Sequence, residues 1–188
     1  MAFMLSLSMA SAQNSGKVQK SSFGVQFIMN DFVTATNIRN NNIGTVMKNK
    51  EFGVINKMAP GIALTYMKGI DRNYDIATTL SGSFVDYPIP EKNSFGREFL
   101  LLEADASIRG KLIPNEAVVN PYLQAGFGGS MYKGYFAAFL PVGMGLQINL
   151  FNDSYLLINA QYRVPVTQLA NYHLFYGIGF AGNIGKSK

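Results

Sequence analysis

The feature that most constrains this chain is a strict alternation of large apolar side chains with small or polar ones, sustained from residue 22 onward. In the last such segment, YHLFYGIGFAGNI, Leu174, Tyr176 and Ile178 fall on one face. Gly177 and Asn183 fall on the other. A period of two residues is that of a β-strand. The segment therefore predicts a strand with one bulky apolar face and one small or polar face.

Eight segments share this alternation, and turn-forming residues separate them. The connections after the second and sixth segments are short, whereas those after the first, third and seventh are longer. Long loops at one end and short turns at the other are typical of transmembrane β-barrels. An even number of strands places both termini at the short-turn end. The segments are 22–30, 61–68, 74–85, 97–109, 122–132, 138–150, 155–163 and 172–184.

The scarcity of charge indicates which face is inside. Only 14% of the chain is charged, against roughly 25% in soluble domains, and the last four segments contain one formal charge, Arg163. A broad apolar face would aggregate in water but suits hydrocarbon. A sheet within a bilayer must close so that no backbone group is left unpaired. We therefore predict an all-β fold, a closed eight-stranded antiparallel up-and-down transmembrane β-barrel over residues 17–185, with a lumen filled by side chains.

The first twelve residues predict a signal peptide. An apolar stretch ends in Ala10-Ser11-Ala12, the small-x-small pattern of a secretory cleavage site, although no Lys or Arg precedes it. A start annotated downstream of the true one would explain that n-region; the alternative is an apolar N-terminal strand or helix. No stretch reaches the 18 apolar residues of a membrane-spanning helix, so we expect an exported chain without a helical anchor, ending in a periplasmic tail at 186–188.

The closing runs PYLQAGFGGSMY and HLFYGIGFAGNIG resemble a known group, the small eight-stranded outer-membrane barrels of Gram-negative bacteria. The chain is similar to the barrel domain of outer membrane protein A and to outer membrane protein X. This resemblance implies a cell outer-membrane location, contact with outer-membrane lipid and lipopolysaccharide, and insertion by the barrel-assembly machinery. It does not extend to the peptidoglycan-binding domain of many outer membrane protein A relatives, because the tail GKSK follows the last strand directly.

Polar and charged residues of inward parity are the candidate site. Pairing of the third and fourth strands sets Asp75 opposite Arg109, and pairing of the last two sets Arg163 opposite His173. A gated path or small-ligand pocket is one interpretation; we favour a structural plug of ion pairs and hydrogen bonds. The predicted lumen network is Asp75, Glu103, Asp105, Arg109, Asn159, Gln161, Arg163 and His173.

Aromatic residues of outward parity predict two interfacial girdles, where lipid meets headgroups. Four fall near the short-turn end and three near the long-loop end. They are Phe23, Tyr66, Tyr74 and Phe180 at the first end, and Phe84, Tyr162 and Tyr172 at the second.

The sequence lacks the residues that several classes of enzyme and binding site require. There is no Cys, which excludes disulfides, thiolate metal sites and a cysteine nucleophile. His173 has no Ser two residues on, so the His-x-Ser pattern of barrel deacylases is missing, and we expect neither an enzyme nor a bound cofactor or metal. The stretch AGFGGS lacks the Lys and helix of a phosphate-binding loop, and no nucleic-acid partner is predicted.

We interpret the basic, Asn-rich run NIRNNNIGTVMKNKE as a solvated loop, or else a contact for lipopolysaccharide or a surface partner. The function that fits best is a structural or surface-interaction role in the outer membrane. A narrow channel for very small solutes and a soluble lipocalin-like carrier are the alternatives.

Overall fold

A closed barrel of eight antiparallel strands makes up most of the computed structural model, which describes residues 18–90, 95–113, 117–151 and 154–184. Each strand pairs with its sequence neighbours and β1 pairs with β8, which confirms the predicted fold class. The predicted signal peptide and the tail 186–188 lie outside the described residues. The strands are β1 Ser22–Asp31, β2 Ala59–Gly69, β3 Tyr74–Val85, β4 Phe99–Lys111, β5 Val119–Tyr132, β6 Tyr135–Phe151, β7 Ser154–Pro165 and β8 His173–Asn183.

The strand register sets the tilt of the wall. A path perpendicular to the strands starts at Asn183 on β8, passes to its partner Ser22 on β1 and then crosses every strand in turn. It returns to β8 at His173, ten residues from its start, so the shear of the barrel is ten. That shear inclines the strands by about 40° to the barrel axis and leaves an interior that side chains fill.

The two faces of the wall follow the predicted alternation. On the outward face Leu80, Ile108 and Met144 are 53, 56 and 63% exposed, whereas Asp105 and Gln147 on the inward face are buried. The polar side chains of this barrel are therefore in its interior, and its surface carries a broad apolar belt.

Several strands are longer than the alternation predicts. The link 110–121 shortens to 112–118, because Lys111 pairs with Tyr122 and Pro121 pairs with Leu146. Gly and Pro are weak strand formers, but neighbouring ladders hold both segments extended. β5 and β6 meet in a two-residue turn at Lys133 and Gly134, with φ of 49° and 82°, the left-handed pair that suits a type I′ hairpin.

Helices cover the long-loop end, so the solvated-loop interpretation is incomplete. Helix α1 (Phe32–Asn40) begins where the Asp31 carboxylate accepts a hydrogen bond from the Thr34 amide at 2.8 Å. Helix α2 (Ile43–Lys48) begins in the same way at Asn42. These capping residues were readable in the sequence, but β-periodicity gave no indication of them. In the described ranges, no helix has the length and hydropathy to cross a membrane.

Candidate functional site

The lumen near the helix-covered end contains a cluster of four ionisable side chains, Glu103, Asp105, Arg163 and His173, which we call the outer charge cluster. Arg163 on β7 donates through Nη1 to Glu103 Oε2 at 2.5 Å and through Nη2 to Asp105 Oδ2 at 3.0 Å, both on β4. The opposite oxygen of Glu103 lies 3.2 Å from His173 Nε2. Strands β4 and β7 are not neighbours, so these ion pairs cross the lumen.

Aromatic rings and hydrogen bonds fix the guanidinium in place. The Arg163 Cζ atom lies 3.8 Å from the ring centre of Phe175 and 4.8 Å from that of Phe139. Its Nε donates to Gln161 at 3.4 Å, and Ser107 donates to Asp105 at 3.2 Å. Ring faces attract cations most where water is absent, and Arg163 is fully buried.

A lid of aromatic residues closes the cluster from above. Phe32, the first residue of α1, lies 4.7 Å from the His173 ring and 5.2 Å from the Tyr87 ring. The Tyr87 hydroxyl accepts a hydrogen bond from the Asn171 amide at 2.7 Å, and burial raises the pKa of this phenol. Tyr132 donates to the Val85 carbonyl at 3.0 Å. The long loops are therefore tied to the barrel mouth through buried contacts.

Uncharged side chains fill the middle of the lumen. Gln26 donates to Thr65 at 2.6 Å and accepts from Asn159 at 2.7 Å, while Thr65 and Thr79 share a hydrogen bond at 3.4 Å. This amide and hydroxyl layer separates the outer charge cluster from a second one.

The inner charge cluster, near the short turns, consists of Asp75, Arg109 and Lys111. Lys111 Nζ lies 2.6 Å from Asp75 Oδ2 and also donates to Gln19. Arg109 donates to the Gln124 side chain at 3.2 Å and lies 4.8 Å over the Tyr122 ring. Gly145 makes room for that tyrosine, because a Cβ atom there would lie 2.4 Å from its ring.

Both predicted registers are present: Asp75 pairs with Arg109 and Arg163 with His173. The ion pairs nevertheless form with other residues. Asp75 contacts Lys111, which falls in the predicted link 110–121, and Arg163 contacts the two acids of β4. Lys111 lies two residues beyond Arg109 and therefore has the same inward parity. Extending the alternation of the fourth segment by two residues would have predicted it as a lumen residue.

The predicted girdle residues all have outward parity. Phe23, Tyr66, Tyr74, Phe84 and Phe180 are exposed. Tyr162 and Tyr172 are partly buried because their rings stack on each other, with centres 5.8 Å apart.

The His173 imidazole is enclosed within the outer charge cluster. His173 faces the Glu103 carboxylate through Nε2 and the Asn171 carbonyl through Nδ1 at 3.2 Å, and aromatic rings cover it. Nucleophilic catalysis needs a hydroxyl within hydrogen-bond reach of the base, and in the described part of the chain no hydroxyl forms a hydrogen bond with His173.

No family model and no curated protein matches the sequence. Solved structures do match. OprG from Pseudomonas aeruginosa superposes with a TM-score of 0.58 at 9% identity, covering 89% of this chain and 97% of OprG. Neisserial surface protein A gives 0.55 at 14% identity, with 89% and 99% covered, and Ail from Yersinia pestis gives 0.53 at 14% identity, with 88% and 98% covered. The fold is that of the small eight-stranded outer-membrane barrels. At these identities, the likeness shows the fold alone.

Proposed function

We propose that this chain is an integral outer-membrane β-barrel protein with a structural or surface-interaction role, a lumen sealed by side chains and no enzymatic activity. The observation that carries the proposal is the inverted wall. Six charged side chains are buried inside the barrel, and apolar side chains cover its outside: the buried set is Asp75, Glu103, Asp105, Arg109, Lys111 and Arg163. Insertion by the barrel-assembly machinery, contact with lipopolysaccharide and periplasmic termini are parts of the same proposal.

Cell fractionation combined with a heat-modifiability gel tests the location. We expect the protein in the outer-membrane fraction, with an SDS-resistant folded form that migrates differently after boiling, because the closed ladder unfolds only on heating. A refolded monomer that stays soluble without detergent would instead support the lipocalin-like carrier.

A narrow channel for very small solutes is the alternative function. The ion pairs from β7 to β4 cross the lumen, and the amide layer lies directly beneath them. We therefore expect no stepwise conductance from purified protein in planar bilayers. Reproducible steps from the wild-type chain would favour the channel.

The outer end supports the surface-interaction part of the proposal. Lys48, Lys50 and Lys57 are exposed there, and the formal net charge of the chain is +5. Ail has been crystallised in complex with the heparin analogue sucrose octasulfate. We expect the chain in uncharged detergent to bind this polyanion, and replacement of the three lysines by Gln to weaken binding. Equal binding by the triple variant would place the contact elsewhere.

A further inference from the structure

An apolar groove of about 790 Å³ crosses the outward face of the wall from β5 to β1. Within it, Ala160 on β7 pairs with Met144 on one side and Tyr176 on the other. The methyl group of Ala160 between two long side chains makes a depression, and Ile158 and Ile178 line the groove toward the short-turn end. An apolar groove of this kind suits a hydrocarbon chain, which gains dispersion contacts with its walls.

Directly beyond this depression, toward the long-loop end, lies a cation held on aromatic rings. Tyr162 is two residues beyond Ala160 on β7, about 7 Å along the strand. Its ring stacks on Tyr172, and the Arg39 guanidinium carbon lies 4.0 Å from the ring centre of Tyr172. Arg39 belongs to the last turn of α1, so the helix brings a charge to the edge of the apolar belt.

Among the residues that the structure describes, no acidic side chain neutralises Arg39. The side chain of Arg39 is exposed. It borders a second cavity of about 570 Å³, whose polar lining includes Thr167 and Asn171. A guanidinium presents five N–H donors in a planar fork that matches phosphate, and stacking on Tyr172 fixes the orientation of that fork.

We propose that this face binds one phosphate-bearing lipid of the surrounding membrane. Its phosphate lies on Arg39, and one acyl chain runs past Tyr162 into the groove whose floor is Ala160. The two halves of the site are carried by independent observations: an apolar groove on the outward face of the wall, and an Arg39 guanidinium on α1 that stacks on Tyr172 and has no acidic partner among the described residues. This inference rests on the proposed membrane location and goes further by naming the lipid chemistry and its residues.

The test uses the full chain in an uncharged maltoside detergent, titrated with dimyristoyl phosphatidic acid and observed by native mass spectrometry. We expect one lipid to bind to the wild type. Arg39→Gln should weaken binding about tenfold, the factor that corresponds to one charge-assisted hydrogen bond. Ala160→Phe should weaken it to a similar degree by filling the groove. Dimyristoylglycerol, which lacks the phosphate, should bind at least tenfold more weakly than phosphatidic acid.

Matched variants separate this site from general attraction. Lys48→Gln removes a cation from the same end of the barrel, and Ala104→Phe adds a ring to the outward face of β4; both should bind like the wild type. Inorganic phosphate should not displace the lipid at equimolar concentration, because it lacks the chain that occupies the groove.

Equal binding by the wild type, Arg39→Gln and Ala160→Phe overturns the proposal, as does an equal loss with Lys48→Gln. Full displacement by inorganic phosphate assigns Arg39 to a free anion instead. Each variant must first show the heat-modifiable folded form. If Ala160→Phe lacks that form, the smaller substitution Ala160→Leu takes its place. Failure of the wild type to insert into lipid vesicles contradicts the proposed function. If the wild type inserts normally but neither Arg39→Gln nor Ala160→Phe weakens lipid binding, only the lipid site is contradicted.

Discussion

The outer and inner charge clusters lie in the same lumen, yet they neutralise their cations differently. In the outer cluster, Arg163 is held between two carboxylates and two rings, under the α1 lid. In the inner cluster, Arg109 has only neutral partners in the described ranges, the Gln124 amide, the Met67 sulfur and the Tyr122 ring, while the one acid, Asp75, pairs with Lys111.

The two arginines differ in how many buried carboxylates depend on them. Removing Arg163 strands two buried anions on β4, whereas removing Arg109 strands no opposite charge. Buried polar atoms without hydrogen-bond partners among the described residues occur in both halves, such as the Tyr122 hydroxyl in the inner half and Asn30 Oδ1 in the outer half. We therefore expect loss of the outer cation to destabilise the barrel more than loss of the inner one.

The largest expected effect follows from breaking the outer cluster. Arg163→Met leaves Glu103 and Asp105 buried without their cation, so we expect the free energy of unfolding in lipid vesicles to fall by about 3–5 kcal/mol. Urea titration followed by tyrosine fluorescence measures it. The triple variant with Glu103→Gln and Asp105→Asn should recover most of the loss. An unchanged heat-modified gel shift for Arg163→Ala would contradict the plug.

Packing in the inner half is tested at Gly145. Gly145→Ala places a Cβ atom 2.4 Å from the Tyr122 ring and 2.6 Å from the Ile158 carbonyl oxygen. We expect a loss of about 1–3 kcal/mol, as for other overpacked sites, measured by the same titration. Gly129→Ala is the control, since its added Cβ atom has its nearest neighbour at 3.5 Å. Equal stability of the two variants would show that Tyr122 does not need this space.

Removal of the inner cation should have a smaller effect than removal of the outer one. Arg109→Met loses hydrogen bonds to the Gln124 side chain and to Met67 Sδ and one ring contact. It uncovers no carboxylate, so we expect a loss of about 1–2 kcal/mol. Parallel urea titrations of Arg109→Met and Arg163→Met compare the clusters directly. If the two losses are equal, the contrast between the clusters is wrong.

The smallest effect concerns the lid. Asp31→Ala removes the carboxylate that caps α1, which should cost about 1 kcal/mol, and should speed hydrogen exchange in α1 without changing exchange in β4. Asn42→Ala at the cap of α2 is the matched control, because α2 does not cover His173. Faster exchange throughout the barrel would mean that α1 supports the whole wall.

The sequence pattern predicted most, but not all, of the residues in the two clusters. Alternation placed Glu103, Asp105, Arg163 and His173 on the inward face and set the registers of two hairpins, because adjacent strands joined by one connection pair about its centre. It missed Lys111, since Gly110 interrupted the strand pattern, and it missed α1, whose helical signal is a single cap followed by Thr- and Asn-rich residues of low helix propensity.

By itself, the sequence determined the closed eight-stranded barrel and its inverted faces, because the side-chain period of a strand is a local property that each segment displays independently. The partners across the lumen were decided only by the tertiary structure. Arg163 meets Glu103, sixty residues away in the chain, because the shear of the closed sheet brings those two heights together. Shear is a sum over every register in the barrel, and no single segment contains it.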